Sequence, residues 1–244
     1  MRLIMAEDYE RMSGMAALHI EEQLREKPDC TLGLATGSTP IGIYKALVWA
    51  YGNKRIDFAR VTTVNLDEYA GLARDDEQSY YYYMDKHLFS HVNIDRARAY
   101  LPDGMEDDEE KVCRTYEGII AAAGGVDLQL LGIGHNGHIG FNEPGDVFAK
   151  STFRTALSEE TIKANQRFFS RYEDVPKYAY TMGIGTIMDA NRILLAVSGS
   201  DKAAIVREAF FGPVTPKVPA SILQFHRNVV VVGDKEAFSL LEGF

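Results

Sequence analysis

The sequence predicts an α/β fold, one domain built on an open, mostly parallel sheet flanked by helices. Three observations predict it. Short apolar runs alternate with longer amphipathic segments along the chain. Several of those runs end in a turn rich in glycine, serine, threonine or asparagine, as buried parallel strands feeding helices do. The 244 residues, 46% hydrophobic and 25% charged, suit one large domain of ordinary globular composition. No internal repeat, low-complexity tract or flexible linker divides residues 1–244. The arrangement is Rossmann-like.

Each element follows from local pattern. Residues 8–26 set Tyr9, Met12, Met15, Ala16, Leu18, Ile20 and Leu24 among charges at helical spacing, and Pro28-Asp29 ends that helix. Residues 30–35 form a short buried strand. Thr36-Gly37-Ser38-Thr39-Pro40 is a turn, with Pro40 suited to the first turn of the next helix. That helix holds Ile43, Tyr44, Leu47, Val48 and Trp49, and Trp49 is expected to pack within it. Residues 61–66 form a second strand, ending at Asp67-Glu68-Tyr69. Residues 78–90 read as helical. The acidic run at 107–110 opens a helix through Ala123, its carboxylates near the positive end of the helix dipole. Gly124-Gly125 stop it, and a strand at 126–131 follows. Residues 146–180, polar, aromatic and basic, read as a partly helical lid. A short helix at 183–190, a strand at 193–197, a helix at 201–211, a loop carrying Pro213, Pro216 and Pro219, and a strand at 229–232 complete the chain.

Bulk properties exclude several classes. A net charge of −9 argues against nucleic-acid binding, which wants a basic face. It leaves room for a local cationic pocket. The two cysteines, Cys30 and Cys113, imply no disulfide framework and fit a reducing compartment. The N-terminus has no long apolar stretch, and no window approaches the roughly 18 apolar residues of a membrane span. A cytoplasmic protein with no membrane partner is expected.

Four strand ends carry polar residues, and open α/β sheets bind ligands there. Thr36-Gly37-Ser38-Thr39 precedes a helix N-terminus and reads as a phosphate cradle or as a hydroxyl-rich helix cap. It is not a P-loop, because the Gly-Lys-Ser/Thr ending is missing. Asp67-Glu68 offers a general base or an ordinary solvated acidic pair. The segment 132–145 packs His135, Asn136, His138, Asn142 and Glu143 into one glycine-rich turn. It contains Gly-x-G-x-x-Gly spelled by Gly132, Gly134 and Gly137. A dinucleotide fingerprint needs a helix to start inside it, and Gly140, Pro144 and Gly145 forbid that. No His-Glu-x-x-His spacing supports a metal. Acid–base work by a histidine, with Glu143 orienting it or sharing its proton, is the better reading, beside one in which these residues only tie the loop together. Lys202, after Ser198-Gly199-Ser200, suits a phosphate, and Arg167 is either a second cation or a surface residue over Phe168-Phe169. The run Tyr80 to Tyr83 is assigned no chemistry.

Taken in order, the blocks resemble the glucosamine-6-phosphate deaminase (glucosamine-6-phosphate isomerase) family over nearly the whole chain. They are Leu32 to Pro40, Asn65 to Tyr69, Gly132 to Gly145, Ala164 to Phe169 and Ser198 to Lys202. The resemblance implies hydrolysis of glucosamine 6-phosphate to fructose 6-phosphate and ammonium, with no metal or organic cofactor. It implies that Ser38, Thr39, Arg167 and Lys202 hold the phosphate, and the cradle reading of the turn adds Thr36 and Gly37. His138, supported by Glu143 and Asn136, would open the sugar ring, and Asp67 would move the proton from C2 to C1. Some members of the family carry aspartate where this chain has Asn136, which predicts a shifted pH profile. Longer members bind N-acetylglucosamine 6-phosphate as an activator through basic and hydroxyl residues. The matching positions here are similar to Asp146, Val147, Phe153 and Thr155, which cannot cradle a phosphate. No such activation is expected, and a monomer or small homo-oligomer follows. The rival readings are a 6-phosphogluconolactonase-like hydrolase, which needs no proton acceptor at C2, and a non-catalytic sugar-phosphate sensor. The acidic charge and the lack of a DNA-binding segment disfavour the sensor.

Overall fold

A computed structural model describes residues 1–157, 159, 162, 166, 171 and 175–241. The chain opens with a strand, β1 (Arg2–Ala6). Asp8 then starts α1 (Tyr9–Glu26), its carboxylate accepting the Arg11 N–H. β2 (Thr31–Leu34) is buried at every residue and leads through a turn to α2 (Pro40–Gly52). β3 (Thr62–Asn65) is followed after a single residue by β4 (Asp67–Tyr69). Then come α3 (Tyr80–His87), β5 (Ala99–Tyr100), α4 (Glu109–Ala122) and β6 (Leu128–Leu131). Strands β7 (Phe153–Ala156) and β8 (Tyr178–Thr181) precede α5 (Ile184–Met188). The last elements are β9 (Arg192–Val197), α6 (Ala203–Phe211) and β10 (Val229–Asp234).

Seven strands form the main sheet in the order β1-β10-β9-β6-β2-β3-β5, and every pairing is parallel. Helices cover it, so Leu34, Leu130, Leu194, Leu195 and Val231 are fully buried. Each such side chain contributes about 2 kcal/mol from removal of apolar surface from water. The chain winds from β2 outward through β3 to β5, then returns to β6 on the other side of β2. The direction therefore reverses between β2 and β6, and the loops leaving those two strands flank one crevice.

A second sheet is antiparallel, in the order β4-β8-β7. Leu66 is the hinge between the two sheets. Its N–H donates to the Leu34 carbonyl of β2 at 3.0 Å, and its carbonyl accepts from Met182 N at 2.7 Å, just past β8. Asp67 is the first residue on the far side of that crossing.

The predicted fold class holds, and the departures are instructive. Asp67-Glu68-Tyr69 is a strand rather than a strand end. The segment 146–180 contributes β7 and β8, and most of its middle lies outside the described residues. Strands β1 and β5 were not expected. Trp49 is 59% exposed, with the Arg55 guanidinium over its ring, so it does not pack in the core. Among the described residues no helix is long and apolar enough to cross a membrane.

Candidate active site

Asp67 is 6% exposed and lies beside the loop after β6. Gly140 permits that approach. Its φ is +57°, and a Cβ there would stand 2.9 Å from Thr181 Oγ1 and 3.5 Å from Asp67 Oδ2. The rings of Tyr69, Tyr80 and Phe141 cluster within 4.6 to 6.2 Å of one another, next to the same strand. Burial, with the like charge of Glu68 second, pushes the Asp67 carboxyl up to about 8. Glu68 is also buried and pushed up to about 7, although three backbone N–H groups pull the other way. Its Oε1 accepts from Tyr69 N and Tyr80 N, and its Oε2 from Tyr81 N, at 2.8 to 3.0 Å. Glu68 thus pins the start of α3 to β4.

The loop at 132–145 holds no helix, consistent with rejecting the dinucleotide fingerprint. It folds tightly on itself: Gly134 N donates to the His138 carbonyl at 2.9 Å, and Gly137 N to the Gly134 carbonyl at 3.0 Å. The His138 ring lies against Gly134, where a Cβ would come within 2.2 to 2.4 Å of the imidazole. His138 Nδ1 faces Glu143 Oε1 at 3.4 Å, an ion-pair distance rather than an aligned hydrogen bond. Asn136 Nδ2 donates to Glu143 Oε2 at 2.6 Å, and Asn136 Oδ1 accepts from His138 N. Asn136 therefore does not touch the imidazole with its amide, as a direct orienting bond requires. It holds the carboxylate that faces the ring. Burial alone raises the Glu143 carboxyl, but the His138 and Asn136 contacts outweigh it and hold it below the usual range. Asn142 fastens the loop, its Nδ2 donating to the Ile139 and Met182 carbonyls at 2.9 and 2.8 Å.

Across the crevice, the turn after β2 carries Thr36, Gly37, Ser38 and Thr39. Gly37 has φ +103°, a conformation that suits glycine. Thr39 stands at the N-cap of α2 but makes no side-chain cap hydrogen bond. The Thr39 hydroxyl is therefore not spent on capping. Lys202, after β9, reaches the β6 loop, donating from Nζ to the Ile133 carbonyl at 3.0 Å. Burial lowers its ammonium from the ordinary lysine range. Arg167 lies outside the described residues. His135, the other histidine of the loop, forms an exposed pair with Asp201 at 2.6 Å and stands apart from Glu143.

Two supporting residues escaped the sequence reading. Asp234, at the end of β10, accepts from Ser198 Oγ, from Gly199 N and from Ala237 N, and so fixes the turn that delivers Lys202. Asn142 was noted without a role. The contacts that tie them to the site, Asn142 to Met182 and Asp234 to Gly199, span 40 and 35 residues, and no local pattern signals them.

Comparison with known proteins identifies the family. The profile described as Glucosamine-6-phosphate isomerases/6-phosphogluconolactonase matches residues 7–232. A glucosamine-6-phosphate deaminase of Clostridium botulinum (strain Loch Maree) is 53% identical over 241 residues, 99% of each chain. One from Clostridium perfringens (strain 13) is 47% identical over 99% of this chain and all of its own length. A solved structure of a monomeric glucosamine-6-phosphate deaminase superposes with a TM-score of 0.95 at 46% identity, covering 98% of this chain and 100% of that one. The 6-phosphogluconolactonase of Thermotoga maritima shares the fold at a TM-score of 0.76 and 22% identity. The chain belongs to the glucosamine-6-phosphate isomerase/6-phosphogluconolactonase family.

Proposed function

We propose that this chain converts glucosamine 6-phosphate and water to fructose 6-phosphate and ammonium. The observation that carries the reading is Asp67. A buried carboxyl raised to about 8 by burial and Glu68 is a strong base once ionised, placed beside the histidine loop. Ester hydrolysis of a lactone needs no proton acceptor at a sugar C2. The deaminase names of the relatives at 47 and 53% identity support the same choice.

The residues divide the work. Thr36, Gly37, Ser38, Thr39 and Lys202, with Arg167 as a further cation, bind the phosphate and hold the reacting end in place. His138, with Nδ1 toward Glu143, presents Nε2 to the substrate and moves the proton between the C1 hydroxyl and the ring oxygen as the ring opens. Asp67 then takes the C2 proton, the C–H electrons form the C1–C2 double bond of an enolamine, and the C1=O π pair moves onto O1, which takes a proton from water. Return of that proton to C1 gives an iminium at C2. Water adds to C2, the carbon–nitrogen bond breaks, and ammonia leaves the ketone. Every step is a proton transfer, an addition or an elimination, and no metal or organic cofactor enters the reading.

The segment 146–180 is read as a cover for the site. Its described ends, β7 and β8, pair with the Asp67 strand or with each other, so it departs from and returns to the base's own sheet. We also propose that N-acetylglucosamine 6-phosphate does not activate the protein. A cavity of about 200 Å³ beside Glu143 is lined by Val147, Phe148, Phe153 and Thr155. No cationic side chain lines it among the described residues. A monomer, as in the solved relative, is the favoured state, with a small homo-oligomer the alternative, and a cytoplasmic location fits the substrate. Parallel assays of ammonium release from glucosamine 6-phosphate and of 6-phosphogluconolactone hydrolysis test the choice. Ammonium release with no lactone turnover is expected. The reverse overturns the reading.

A further inference from the structure

Two tyrosine hydroxyls grip the turn after β2 from behind. Tyr83, the last of the four consecutive tyrosines, donates to the Gly37 carbonyl at 2.6 Å. Tyr9, the first residue of α1, donates to the carbonyls of Ser38 and Thr39, each at 3.1 Å, and accepts from Gly42 N at 2.8 Å. A trans peptide unit sets its C=O and its N–H antiparallel. With the Gly37 and Ser38 carbonyls held toward the tyrosines, the N–H groups of Ser38 and Thr39 point the opposite way. Among the described residues neither of these N–H groups donates to a backbone carbonyl.

We infer that Tyr83 and Tyr9 are positioning residues for phosphate capture, holding the peptides of the Thr36–Thr39 turn so that their N–H groups face the anion. The inference rests on reading that turn as the phosphate site. Gly37, at φ +103°, stands where glycine is conformationally free, so an external contact has something to fix. Burial, and then the neighbouring Tyr9 hydroxyl, keeps the Tyr83 phenol above its ordinary range, so it remains a donor at neutral pH. The same helix is pinned at its start by Glu68 through Tyr80 N and Tyr81 N. A chain of short contacts thus runs from the residue next to the base, through α3, to the anion turn. It fixes how far the phosphate sits from the proton acceptor.

The test compares Tyr83→Phe and Tyr9→Phe with wild type and with Tyr82→Phe on the same helix. Inorganic phosphate affinity is measured by titration calorimetry, KM and kcat with glucosamine 6-phosphate, and Tm by thermal unfolding. Losing one hydrogen bond that orders the turn is expected to weaken phosphate and raise KM by the same factor, about 3- to 10-fold, with kcat within about twofold. Tyr82→Phe is expected to match wild type. Phosphate affinity unchanged in both Tyr83→Phe and Tyr9→Phe overturns the inference. So does a fall in kcat with affinity retained. If Tyr83→Phe does not fold, Tyr9→Phe carries the same test. A wild type that binds phosphate but releases no ammonium refutes the functional reading alone, and the titrations still decide the tyrosines. A wild type that binds no phosphate overturns the inference itself.

Discussion

At the residue scale, the proposed chemistry turns on how two adjacent carboxyls are treated. Asp67 titrates near 8 because burial strips its hydration and Glu68 adds a like charge. A base works ionised, so kcat/KM for the free protein is expected to climb between roughly pH 7 and 9 and then level off. Replacing Glu68 with Gln removes the like charge, lowers the Asp67 carboxyl and moves that rising limb to lower pH. A pH–rate profile reads this directly, and an unmoved limb contradicts it. Stability follows the same linkage. The folded-state value of about 8 stands above the ordinary 3.8, so the neutral form favours the fold. That stability is fully present below pH 3.8 and is lost as pH rises through about 8. Asp67→Asn keeps a neutral group at every pH. Its Tm is expected to exceed that of wild type at pH 8 by several °C, and the gap is expected to shrink at pH 5. A gap that widens on acidification contradicts the assignment.

At the element scale, glycines and distant carboxylates shape the loops. Gly134 is the clearest case, because its φ is not left-handed and only space demands glycine there. Gly134→Ala drives a methyl into the His138 ring. It is expected to lower kcat by at least about 10-fold while phosphate affinity stays within about twofold, since the anion turn is on another loop. Calorimetry beside steady-state kinetics separates the two. Much at this scale was legible. The turn at 36–39, Asp67, the loop at 132–145 and Lys202 each follow an apolar run, and a parallel sheet presents such strand ends to its ligand. Their supports were not legible. Tyr83 meets Gly37 across 46 residues, and Asp234 meets Ser198 across 36. Nothing in the local pattern of either residue announces the partner. Strands β4 and β5 have three and two residues, too short for periodicity to register. Trp49 shows the opposite failure, a large apolar residue at a helical position that tertiary packing leaves on the surface.

At the scale of the whole molecule, the strand order places the β2 and β6 loops on one crevice, and the crossing at Leu66 sets Asp67 beside the β6 loop. All of these parts come from one chain. Deaminase activity is therefore expected at a dilution where gel filtration gives a single monomer peak. N-acetylglucosamine 6-phosphate is expected to leave the velocity curve hyperbolic and kcat unchanged. A several-fold rise in activity with that sugar phosphate contradicts the apolar lining around Val147 and Phe153. The most direct measurement of the central claim is simultaneous release of ammonium and fructose 6-phosphate from glucosamine 6-phosphate by wild type and by Asp67→Asn. Equal amounts of the two products from wild type, and a loss of about 10²-fold or more in a folded Asp67→Asn, are expected. Turnover that survives the substitution contradicts the role of Asp67, and no turnover by folded wild type contradicts the deaminase reading altogether.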